Sequence, residues 1–121
     1  MKAGKRGKWI VSVGPLEAEV LDLLWAAGEE LSIRDLYEML RLRHPVSDGV
    51  RPPAYTTVSA VLRNLHGKGY TSRRTKDGRF LYRPRYSRRE VLLAILAGIR
   101  DSLAGDDELW MEAAKEVSHG R

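Results

Sequence analysis

The sequence predicts a mainly α fold with a small β-wing, and three observations carry that prediction. Three segments before residue 68 repeat apolar residues at helical spacing. Asp77-Gly78 separates two β-prone runs. A dense basic segment coincides with the third helix and the hairpin that follows it.

The first helix is expected at about residues 15–27. Pro15 opens it, where a missing N–H costs little, and Glu17 and Glu19 lie near its positive end. Leu16, Val20, Leu23, Leu24 and Ala27 recur at helical spacing until Gly28 stops the run. Glu30–Ser32 reads as a short strand. Ser32 then caps a second helix, with Asp35 in its first turn and an apolar face of Ile33, Leu36, Tyr37 and Leu40. A loop rich in Pro and Gly runs from His44-Pro45 to Pro53.

The third helix is expected at about residues 55–67. Val58, Val61, Leu62 and Leu65 form its core-facing stripe. At about 100° per residue, Thr56, Ala60, Arg63 and Gly67 project the opposite way, with Ser59 on the flank. This outer side is small and polar near its start, so a bulky partner can approach closely. Gly67 and Gly69 are expected to end the helix by adopting positive φ. Tyr70–Lys76 and Arg79–Pro84 then pair about Asp77-Gly78, because a type I′ turn needs positive φ at both central residues. Ser87-Arg88-Arg89-Glu90 matches a capping box, opening a fourth helix that runs to about Leu103. Gly105-Asp106-Asp107 breaks it, and Leu109–Val117 reads as a last short helix. Three helices followed by a hairpin make a winged helix-turn-helix.

Composition narrows the function. The chain has 121 residues, enough for one domain and an appendage, and a net charge of +5. That mild figure hides strong segregation. Residues 51–89 hold eleven bases and one acid, residues 9–50 carry −5, residues 90–121 carry −4 and residues 1–8 carry +4. A basic segment centred on a helix-turn-helix points to double-stranded DNA, although a solvated basic face is the plainer account of any such run. With no cysteine, disulfides and any Cys-containing zinc or copper site are excluded, and a reducing cytoplasm is the expected location. The longest apolar run, Val91 to Gly98, is too short to span a bilayer, and no secretory signal is expected. His44, His66 and His119 lack ligand spacing, so no metal or other cofactor is expected. No nucleophile–base motif suggests an enzyme. Gly67-Lys68-Gly69 is a helix end rather than a phosphate loop.

Candidate contacts follow from the facing of each side chain. Arg63, opposite the core stripe, reads as a base or phosphate contact in preference to an ordinary exposed helix residue. Thr56 and Thr57 either start the helix or bind phosphate through hydroxyl and N–H groups at the helix mouth. Tyr55 joins the candidate set, although packing is its commoner role. Arg73, Arg74, Lys76 and Arg79 cluster around the hairpin tip as phosphate ligands, since a hairpin gains little from four like charges. Arg51 is undecided between contact and solvent. Lys2, Lys5, Arg6 and Lys8 form a basic arm that either solubilises the chain or enters a groove. Trp25 and Trp110 read as packing or interface residues.

Three stretches, "PLEAEVLDLLWAAGEELSIRDLYEML", "AYTTVSAVLRNLHGKGYTSRR" and "DGRFLYRP", closely resemble the BlaI/MecI/CopY family of winged-helix repressors over roughly residues 14–86. The L-E-x-x-V-L-x-x-L-W opening together with A-Y-T-T-V is fairly specific to that family. The resemblance implies a homodimer on a dyad-symmetric operator, with the third helix reading bases and the wing on the backbone. By position, Thr56, Thr57, Ser59 and Arg63 fall on the reading helix, and Arg73, Arg74 and Arg79 on the wing. The chain departs from the family after Tyr86, where 35 residues follow in place of the usual several dimerisation helices. Members of that family whose inducer signal is proteolysis are cleaved in that region, so its shortness here argues against cleavage-driven derepression and leaves the signal open. The absence of cysteine excludes copper sensing through a C-x-C pair.

The expected organisation is a basic flexible arm at 1–8, a winged-helix DNA-binding domain at 9–86 and a short helical dimerisation region at 87–121. The fourth helix carries an apolar arc wider than one small domain needs. Leu92, Ile95, Leu96, Ile99 and Leu103, with Trp110 beyond, are the candidate dimer interface. The alternative function is a winged-helix protein-interaction module without sequence-specific DNA binding.

Overall fold

A computed structural model describes residues 13–119; the basic arm expected at 1–8 lies outside the described residues. Two units divide the chain, Gly14–Arg88 and the segment from Arg89 onward, and each is taken by itself.

In the first unit, α1 spans Pro15–Ala27. Its free Gly14 N–H donates to Glu17 Oε1 at 2.9 Å, and Gly28, at φ 68°, closes the other end. The two-residue strand β1, Leu31–Ser32, leads directly into α2, Ile33–Arg43. Ser32 caps α2 reciprocally. Its Oγ accepts from Asp35 N–H at 3.0 Å, and its own N–H donates to Asp35 Oδ2 at 2.9 Å. After a loop, α3 spans Tyr55–Gly67.

That loop holds a small hairpin the sequence reading passed over. Ser47 and Val50 exchange backbone hydrogen bonds of 3.0 and 2.8 Å around Asp48-Gly49, whose φ values are 50° and 79°. At the end of α3 one expectation needs correction: Gly67 stays helical, and of the two glycines only Gly69, at φ 90°, turns left-handed. Tyr70 N–H reaches back to the Leu65 carbonyl at 3.0 Å, so one left-handed residue suffices to reverse the chain.

Strands β2 (Thr71–Lys76) and β3 (Arg79–Pro84) form the wing. Asp77 and Gly78 take φ values of 51° and 77°, as a type I′ turn requires. The sheet is antiparallel in the order β1-β3-β2. Lys76 faces Arg79 and Arg73 faces Tyr82, which fixes the register that the sequence left open. Alternation then puts Arg73, Thr75, Phe80 and Tyr82 on one face and Arg74, Lys76, Arg79 and Leu81 on the other. The first face packs toward α3: Tyr82 and Thr71 are fully buried, and the His66 ring stands edge-on to Tyr82 at 6.3 Å. The core joins Val20, Leu21 and Leu24 of α1, Leu36 and Leu40 of α2, and Val58, Leu62 and Leu65 of α3. The expected core stripe of α3 is the buried one.

In the second unit, α4 (Arg88–Ile99, whose first residue belongs to the first unit) does not continue as an α-helix to Leu103. It widens into a π-helical turn at Arg100–Ala104 and ends at Gly105, φ 82°. Helix α5 spans Asp107–His119 and starts earlier than expected, because Asp106 Oδ1 accepts the Leu109 N–H at 2.7 Å. Asp106 is thus a helix starter rather than only a breaker. Among the described residues, no helix is long and apolar enough to cross a membrane.

Candidate nucleic-acid interface

The outer face of α3 is built by the same periodicity that builds its core face. Tyr55, Thr56, Thr57 and Arg63 are exposed and Ser59 is half-buried. Arg63 Nη1 donates to Ser59 Oγ at 3.1 Å, one turn earlier, so the guanidinium lies along the helix with donors to spare. No acidic residue occurs in α3. Tyr55 packs edge-on to Tyr37 of α2, with ring centroids 5.4 Å apart. The ring of Tyr37 also carries Arg41, whose guanidinium carbon sits 5.6 Å from its centroid.

The wing residues divide between the two sheet faces. Arg73, on the α3 side, lies 4.0 Å over the Phe80 ring and donates from Nη1 to the Tyr82 hydroxyl at 3.3 Å. Arg74, on the opposite face, grips Glu30 with its Nε 2.9 and 2.8 Å from the two carboxylate oxygens. This hydrogen bond, followed by the charge of Arg74, holds the Glu30 carboxyl below its ordinary range and raises Arg74. Lys76 and Arg79 face each other at the tip, both exposed, and among the described residues neither forms an ion pair. Like charges directly opposed across strands are destabilising, so folding alone gives no reason for that pair.

Other cations are neutralised by α1: Lys68 pairs with Glu17 at 2.8 Å and Arg88 with Asp22 at 2.7 Å. The His44 ring hydrogen-bonds Glu19 at 2.6 Å. The hydrogen bond from Arg88 is the leading reason the Asp22 carboxyl is depressed. The basic segment thus separates into cations tied to α1 or Glu30 and cations without an acidic partner among the described residues. The latter include Arg63, Arg73, Lys76 and Arg79, four of the residues singled out from sequence. Arg41 belongs with them and was missed, although its four-residue spacing from Tyr37 was visible. Trp25 serves packing: its Nε1 donates to the Tyr86 carbonyl at 2.9 Å, and Arg88 lies 4.8 Å over its ring.

Helices α1–α3 with the β2–β3 wing define a winged helix-turn-helix protein. The penicillinase repressor family model matches residues 13–108, and the chain belongs to that family, one of transcriptional regulators rather than enzymes. Two curated relatives, both called transcriptional regulator BlaI, come from Mycobacterium tuberculosis strains CDC 1551 / Oshkosh and ATCC 25618 / H37Rv. Each is 32% identical over 95 residues, covering 78% of this chain. The chain spans 62% of the length of those relatives.

Proposed function

We propose that this chain is a sequence-specific DNA-binding transcriptional repressor that works as a homodimer on a dyad-symmetric operator in the cytoplasm. The observation that carries the reading is the acid-free outer face of α3, where Arg63 is braced on Ser59 beside Thr56 and Thr57. Arg63 supplies base readout, and the helix mouth binds phosphate. Lys76 and Arg79 at the wing tip, with Arg73 behind them, add sequence-independent attraction to the backbone. Arg74 joins them only by exchanging Glu30 for a phosphate. The dimer forms through Leu92, Ile95, Leu96 and Ile99 of α4, extended by Leu103 and Trp110.

A gel shift with DNA selected by the purified protein, challenged with excess random competitor, tests the reading. The complex is expected to persist. A complex that random DNA removes at equal concentration would instead favour the protein-interaction module.

A further inference from the structure

Of the three arginines on α2, two are occupied: Arg34 pairs with Glu38 at 3.5 Å, and Arg43 with Glu19 and Asp22 at 3.5 and 3.4 Å. Arg41 is exposed and has no acidic partner among the described residues. It lies over the ring of Tyr37, and Tyr37 in turn meets Tyr55, the first residue of α3. Two ring contacts therefore tie an unpaired cation to the mouth of α3.

We propose that Arg41, set on the Tyr37 ring beside the start of α3, is a DNA-phosphate contact, with Tyr37 as its positioning residue. The inference rests on the repressor reading and extends the site onto a helix not assigned to it. In a helix-turn-helix the first helix crosses the sugar–phosphate backbone while the start of the second enters the groove. A cation on α2 next to the α3 mouth is therefore positioned for a phosphate at the groove edge. A cation–π contact suits this task, because it holds the charge near the ring while using few of the five N–H donors, which stay available for phosphate oxygens. The one internal bond, from Nη1 to the Tyr37 hydroxyl, is long at 3.5 Å and engages one of five donors. The ring rather than the hydroxyl is thus the part of Tyr37 that matters.

Fluorescence anisotropy over a range of salt, with a labelled mixed-sequence duplex and with the selected operator, tests this. Arg41→Ala is expected to weaken both complexes roughly 5–10-fold near about 0.1 M salt and to lower the salt slope by about 0.9 per protomer. Arg41→Lys should keep the slope, Tyr37→Phe should match wild type, and Tyr37→Leu should lose part of the affinity. Arg34→Ala, on the same helix, should change little. Thermal melting checks that each variant is folded. An Arg41→Ala protein with wild-type affinity and slope, while Arg63→Ala still loses operator binding, overturns this contact and leaves the repressor reading intact. If neither variant loses affinity, both fall together.

Discussion

The proposed tasks of Arg63 and Arg79 differ, and the difference is measurable. Arg63 lies along the outer face of α3, braced on Ser59. Arg63→Ala should cost about 1–3 kcal/mol of operator binding, the worth of a bidentate base contact, and much less on mixed-sequence DNA. Arg79 sits at the wing tip opposite Lys76. Arg79→Ala should weaken every duplex alike and shallow the salt slope by about 0.9 per protomer. Arg74→Ala should shift the slope less, because its guanidinium is already taken by Glu30 on the sheet face away from α3. That pair also sets a pH dependence. The Glu30 carboxyl is depressed below its ordinary 4.5 in the folded state, so its contribution to stability is present above that value. It is lost as pH falls through the lower, folded value. Asp22, depressed below 3.8 chiefly by Arg88, acts in the same sense. Glu30→Gln should therefore flatten the acid limb of a denaturation-versus-pH profile, and an unchanged limb would deny the pair any energetic role.

At the scale of elements, local chemistry explains both what could be read and what could not. The Asp77-Gly78 hairpin was legible because β-prone runs flank a dipeptide that tolerates positive φ on both residues. The same dipeptide at Asp48-Gly49 makes the same turn, yet Ser47 and Val50 have no such runs beside them, and the small hairpin stayed hidden. The end of α4 was hidden for another reason: apolar spacing continues through Leu103, while the hydrogen-bond pattern widens at Arg100. Gly67 shows that a glycine next to a helix end need not be the left-handed one. Gly78 must be. A Cβ there would meet nothing within 4 Å, so the cost of Gly78→Ala is conformational alone. It should destabilise the wing by about 1–2 kcal/mol in chemical denaturation, and a neutral result would contradict the type I′ assignment. Which cations are free was not legible at all. Arg73 and Arg74 are adjacent in sequence, but the pleat sends them to opposite faces, one onto Phe80 and one onto Glu30.

At the scale of the whole molecule, Arg63, Arg73, Lys76 and Arg79 of α3 and the wing lack acidic partners among the described residues. Apolar side chains are exposed in both units, at Leu42, Val46 and Val50 in the first and on α4, the π-helical turn and α5 in the second. Leu92 is 54% exposed, Leu103 73% and Val117 82%. The proposed dimer would cover such residues, since a contiguous exposed apolar patch marks an interaction face. Of the proposed interface residues, Leu92 and Leu103 are exposed and Ile95, Leu96 and Ile99 are half-buried, so the latter contribute only part of the roughly 1.5–3 kcal/mol of a full aliphatic burial toward an association cost of about 4–15 kcal/mol. Ile95→Asp should give a monomer by light scattering that keeps weak DNA binding and loses operator affinity; a dimeric variant would exclude this interface. If the proposed two-fold pair forms, its two copies of α3 are expected to meet DNA about one turn apart, roughly 34–36 Å. Sequencing the fragments that the full chain selects from random DNA decides whether it is a two-fold, sequence-specific repressor. One enriched motif is expected, with two inverted half-sites centred about 10 base pairs, or one turn, apart. Fragments with no enriched motif, or with a single unrepeated half-site, would contradict it.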